Sequence, residues 1–207
     1  MSGQSIVELI KISKALHHQI GEKITDILSF SNEDKILIPA TCFDIVREYQ
    51  AAVIILIEQN LYHSAYVLTR STFETFIRGA WFKNCAHAEQ IDNFKQGNNP
   101  PPIHTLIANL EETALYADKI LSTIHTKHWG MLCGFTHAGY EHIASKHKEG
   151  EIQANYSEEE INHLFYLINT LALFASIEMA SLAKHKQLEK ELYLKLKNIV
   201  AASRPKI

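Results

Sequence analysis

Residues 61–82 read LYHSAYVLTRSTFETFIRGAWF. Leu61, Ala65, Leu68, Thr72, Phe76 and Ala80 are apolar or small and recur every three or four residues. That is the period of an α-helix, not the two-residue period of a strand. His63, Val67, Arg70, Glu74, Ile77 and Trp81 form another row on the same helix. A helix with apolar surface on more than one side is expected at the centre of a bundle. Arg70 would then be partly buried one turn before Glu74, and a buried charge has to be paired. Arg78 gives Glu74 a second neighbour four residues away. Two readings follow. Arg70 and Glu74 are an ion pair that fixes helix registry, or they line a pocket in which Arg70 grips an anion such as phosphate. Exposure to a cavity would separate the two.

The helical period continues in both directions. Residues 6–30 read as a first helix interrupted at Gly21, and residues 31–40 as a connection in which Pro39 blocks helix. Thr41 is the expected N-cap of a second helix reaching about Gln59. The third helix covers residues 61–86, a short polar one covers residues 88–95, and GNNPPP at 97–102 breaks the chain. Helix resumes over residues 104–115 and 116–128, is punctuated by Gly130, Gly134 and Gly139, and returns over residues 140–148. Ser157 and Glu160 form a capping box before a long apolar run to about Lys184. LEKELYLKLKNIVAA would extend that run toward Ser203. No segment reads convincingly as a strand. The expectation is one all-α domain over residues 1–207, a bundle of about six or seven helices with antiparallel neighbours.

Composition narrows the function classes. The 207 residues are 46% hydrophobic and 21% charged, ordinary globular values that exclude intrinsic disorder. A net charge of -3 gives no general basic field for nucleic acid, though a local patch would be compatible with it. Cys42, Cys85 and Cys133 are few and widely spaced, which predicts a reduced, cytoplasmic protein rather than a disulfide scaffold. The N-terminal residues lack the basic and apolar regions of a signal peptide. Residues 164–183 have the length of a membrane span but carry Asn169, Ser176, Glu178 and Ser181. They read as a buried core helix, with no membrane. No P-loop, dinucleotide fingerprint or G-x-S-x-G elbow is present. Twelve histidines stand out, since protonating all of them would carry the net charge from -3 to +9.

A second segment, KHWGMLCGFTHAGYEH at 127–142, carries chemistry-bearing residues. His137 and Glu141 would share a helix face, and a carboxylate there orients an imidazole and raises its basicity. Thr136 and His137 beside a glycine-relieved backbone suit proton transfer. The alternative is a histidine that caps or cross-links helices. Cys133 precedes His137 by four residues and is either its nucleophilic partner or a buried, inert thiol. A di-metal carboxylate bundle needs paired Glu-x-x-His motifs, and the chain has no such pair. His125 and His128, joined by His137 and Glu141, leave a zinc or iron site as an alternative, while no cofactor is expected. His17, His18, His142 and His147 read as solvated positions.

The series L-T-R-S-T-F-E-T-F-I-R-G-A-W-F, F-x-Q-G, P-P-P, W and F-T-H-A-G resembles a family of uncharacterised bacterial helical proteins. That family shares an R-S-x-F-E-x-x-x-R-G-x-W helix and a T-H-x-G turn. The resemblance covers about residues 61–142 and implies that Arg70, Glu74, Arg78, Trp81, Thr136, His137 and Gly139 are signature positions. A looser resemblance is to the HEPN superfamily of helical bundles in toxin–antitoxin and antiviral systems. Many of those are metal-independent ribonucleases with an Arg-x4–6-His motif across a homodimer interface. No Arg lies four to six residues before His137, where Met131, Leu132 and Cys133 stand, so the arginine would have to come from the third helix or from a second copy. The HEPN-like reading implies a composite catalytic site of Arg70, Glu74 and His137. Around it Arg78, Trp81, His63, Thr136 and Glu141 would bind RNA or a nucleotide, within a homodimer. The competing reading is a non-catalytic interaction module in which these residues form a structural network. The C-terminal amphipathic segment is either a solvated helix packed by its leucine face or a docking helix for a protein partner.

Overall fold

A computed structural model describes residues 5–203, except for the side chains of Glu141 and residues 200–203. The helices are α1 (Ile6–Ile24), α2 (Asp34–Glu58), α3 (Tyr62–Asn84), α4 (Ala88–Lys95), α5 (Ile103–Glu111), α6 (Ile120–Thr136), α7 (Tyr140–Ala144), α8 (Glu158–Leu182) and α9 (Lys186–Ser203). Two-residue strands β1 (His147–Lys148) and β2 (Glu151–Ile152) pair antiparallel between α7 and α8. The protein is an all-α bundle. Nine helices among the described residues replace the six or seven expected, because two continuous-looking stretches are cut by local backbone turns.

Those cuts have physical causes. After α8, Lys184 takes a left-handed φ of 57° and the His185 amide bonds the Ala180 carbonyl at 2.8 Å. This Schellman closure ends α8 and folds α9 back onto it. Leu188, Leu192 and Leu196 then bury one face of α9. The helix expected over residues 140–148 ends at Ala144, and Glu149 and Gly150, both at positive φ, turn the chain through a two-residue hairpin.

Two local expectations are corrected. Pro39 lies inside α2, which starts seven residues before Thr41. Only one backbone bond near the helix start is forfeited, and Pro39 and Ala40 are buried. The Thr41 hydroxyl donates back to the Leu37 carbonyl and caps nothing. Gly130 and Gly134 do not break α6 either. A helix interior tolerates glycine at about 1 kcal/mol when packing supplies the rest, and Leu132 and Phe135 are buried beside them.

The core centres on α3 and α8. Glu158–Leu182 is long and apolar enough to cross a membrane, but 89% of its most apolar window is buried inside the protein. It packs against α1, α2, α3 and α9, while α3 packs against α2, α5, α6 and α8. α2 and α3 approach closely at Gly79, where an added Cβ would stand 2.7 Å from the Cys42 Cβ. The core position of α3 brings its polar row against α6, and there the candidate site forms.

Candidate functional site

Arg70 leaves the middle of α3 toward the C-terminal end of α6. His137 is the C-cap of that helix. Ala138 takes a left-handed φ of 52°, and the Gly139 amide bonds the Gly134 carbonyl at 2.7 Å. This is the same kind of closure that ends α8, and it fixes His137 on an exposed corner. Arg70 Nη1 lies 2.7 Å from His137 Nε2. Its Nε donates to Glu74 Oε1 at 3.1 Å, and Nη2 lies 3.0 Å from the same oxygen. The guanidinium also lies over Trp129, 4.9 Å from the ring centroid. Trp129 is supported in turn by His125, with centroids 5.0 Å apart, and by the buried Phe73.

The protonation logic is set by Arg70, which has donors and no acceptor. At this contact His137 Nε2 therefore accepts, and the ring is the neutral Nδ1–H tautomer. Arg70 is clamped on one edge by a carboxylate and on its face by an indole, yet its side chain keeps 17% of its exposure and that of Glu74 keeps 29%. The charges are thus neither free nor sealed from solvent. The arrangement presents a cation beside an unprotonated imidazole nitrogen at the protein surface.

The other expected residues divide. Thr136 is exposed next to His137, but its hydroxyl donates to the Leu132 carbonyl. Arg78 has no ion pair among the described residues, because Glu74 is taken by Arg70. Its guanidinium acts on Cys42 of α2, whose thiol burial pushes up to about 11 while Arg78 pulls the other way. Trp81 is buried and donates to Asn109 Oδ1 at 3.2 Å, away from Arg70. The Glu141 side chain lies outside the described residues. No side-chain hydrogen bond joins Cys133 to His137 among the described residues, and the Cys133 carbonyl accepts the His137 amide. His125, His128 and His137 do not converge, and no group of three potential metal ligands gathers among the described residues.

His63 heads a separate cluster two turns before Arg70. Its Nε2 lies 3.1 Å from both the His142 carbonyl and Ser145 Oγ, and Ser145 Oγ lies 3.2 Å from the Tyr156 hydroxyl. Tyr66, Phe135 and Tyr156 stack beside it. His142 is therefore not a solvated position: its ring packs on Phe135 and His63, and Nδ1 is buried with no hydrogen-bond partner among the described residues. Burial pushes the His63 pKa down, opposed by its bond to the His142 carbonyl and helped by His142 and Lys146. His17 also departs from expectation, joining Gln50, Asn169 and Ser13 in a chain of hydrogen bonds.

Trp129 and Phe73 were missed as site residues, and His125 was read only as a candidate metal ligand. The signal was present, since His125, Trp129, Cys133 and His137 follow one another at four-residue steps. Only its last step, Cys133 to His137, is read from the sequence above. The buried Glu178 was also missed: it pairs with Lys83 and accepts from Tyr116 at 2.6 Å and Asn84 at 3.1 Å.

One family model matches residues 43–200, a family of unknown function designated DUF6988. The chain belongs to that family. The DUF6988 match begins within α2 and ends within α9, so it spans both helices of the Arg70–His137 contact and the core helix α8. No curated protein and no solved structure matches the chain.

Proposed function

We propose that this DUF6988 protein is a HEPN-like, metal-independent ribonuclease of a toxin–antitoxin or antiviral defence system. The observation that supports the reading is the 2.7 Å contact between Arg70 on α3 and His137 on α6. It supplies in space the arginine–histidine pairing that the local sequence around His137 lacks.

In this reading Arg70 binds the scissile phosphate of single-stranded RNA through its outward donors. A phosphate that takes the Nη1 donor releases His137 Nε2. The freed nitrogen accepts the proton of the adjacent ribose 2′-hydroxyl as general base. The 2′-oxygen bonds to phosphorus, the bond from phosphorus to the 5′-oxygen breaks, and the leaving oxygen takes a proton from the imidazolium or water. The products are a 2′,3′-cyclic phosphate and a 5′-hydroxyl. Arg70 stabilises the charge on the non-bridging oxygens, while Glu74 and Trp129 position Arg70.

Incubation of purified protein with end-labelled single-stranded RNA in EDTA tests this. Fragments ending in cyclic phosphate are the expected result. Intact RNA, or products with 5′-phosphates, contradicts it. The clamp on Arg70 also favours a second reading, a structural network in an interaction module. That reading expects Arg70→Ala to lower Tm strongly, and an unchanged Tm counts against it.

A further inference from the structure

A cleft of about 350 Å³ opens where α7 and the hairpin lie against α3. His63, His142, Ile143, Lys146, His147 and Ile152 line it. Its walls are imidazole rings, two aliphatic side chains and one lysine. Ile152 is 86% exposed and Ile143 55% exposed, so the outer wall is apolar surface left open to solvent. Behind the cleft, Phe135 and Tyr156 meet the His63 ring edge-on, and Tyr66 stacks on Phe135. Burial lowers the His63 pKa, which favours its uncharged ring.

Position ties this cleft to Arg70. His63 precedes Arg70 by seven residues on one face of α3, about 10 Å at 1.5 Å per residue. His142 follows His137 by five residues across the Gly139 turn. A strand whose phosphate sits on Arg70 therefore passes the cleft with a neighbouring group. Apolar and lined by imidazole rings, the cleft suits an aromatic heterocycle, and Lys146 in its lining suits the phosphate that accompanies one.

We infer that the cleft between α3, α7 and the β1–β2 hairpin is a nucleobase subsite that holds an unpaired base of the RNA bound at Arg70. The inference rests on the RNA reading of the Arg70–His137 site.

The test is NMR titration of the full chain, following the His63 and His142 ring signals with adenosine, adenosine 5′-monophosphate and ribose 5-phosphate. Movement with the first two and not the third is expected. Ile152→Asp should weaken adenosine binding roughly tenfold, with Ile143→Ser as a second variant and unchanged Tm in both. Still signals at millimolar adenosine, equal movement with ribose 5-phosphate, or undiminished binding in both variants overturns the subsite. Arg70→Ala should abolish cleavage and leave adenosine binding intact. If wild-type protein binds adenosine here but cuts no RNA, the catalytic reading fails and the base site stands. If it cuts RNA while adenosine moves nothing, the subsite fails alone.

Discussion

The donor-only chemistry of arginine decides the state of His137. With Arg70 Nη1 at 2.7 Å, Nε2 has to offer a lone pair, so the imidazole proton sits on Nδ1. Nitrogen-15 NMR at neutral pH should therefore report the Nδ1–H tautomer in the wild type. Arg70→Ala should release the constraint and mix the two tautomers. An Nε2–H signal in the wild type would contradict the contact. Sequence made the residue types legible but not this pairing. Arg70 and Glu74 are one helical turn apart, so their bond follows from spacing alone. The Arg70–His137 contact spans 67 positions in the chain and depends on how α3 packs on α6, which no local pattern encodes. Trp129 was hidden for a related reason, since its cation contact needs the same packing.

At the scale of elements, local signals succeeded where the backbone itself set the boundary. The Ser157–Glu160 capping box starts α8 as its sequence predicts, and Ala88–Lys95 forms the short helix expected between its breakers. They failed at Pro39, Gly130 and Gly134, where burial of neighbouring side chains outweighs weak intrinsic preferences. Gly79 has a firmer role. Its missing Cβ lets α2 and α3 meet, and Gly79→Ala should cost about 1–3 kcal/mol by overpacking against Cys42 and Phe43. Urea denaturation measures this, and unchanged stability would refute the close approach. The contact between α3 and α8 carries a buried charge. Glu178 is fully buried and its charge is balanced by Lys83. Lys83→Met should cost about 3–5 kcal/mol because it strands that carboxylate. The double variant Lys83→Met/Glu178→Met should recover part of the loss. A double variant less stable than the single one would contradict the argument.

For the whole molecule, the histidine-rich composition acts through burial as well as net charge. His63, His125 and His128 all have pKa values lowered from 6.5, with desolvation the largest cause in each. The unfolded chain then binds more protons than the folded one below about pH 6.5. Their contribution to stability is present above that pH and is lost as pH falls through the lowered folded-state values. Thermal unfolding should show a level Tm above about pH 7 and a falling Tm below pH 6.5, and a Tm that rises on acidification would contradict it. The same protonation carries the net charge from -3 toward +9, so solubility or association should change between about pH 5.5 and 7.5. The bundle and its core helix follow from helical periodicity, which survives any error in individual boundaries. The central claim concerns a pair of residues on that bundle, and one measurement addresses it most directly. Cleavage of single-stranded RNA in EDTA is compared for wild type, His137→Ala and Arg70→Ala at equal concentration and matched Tm. Loss of a general base or of a charge-stabilising donor predicts a fall of about 100-fold or more in either variant. Equal rates in all three proteins, or no cleavage by the wild type, would contradict the account.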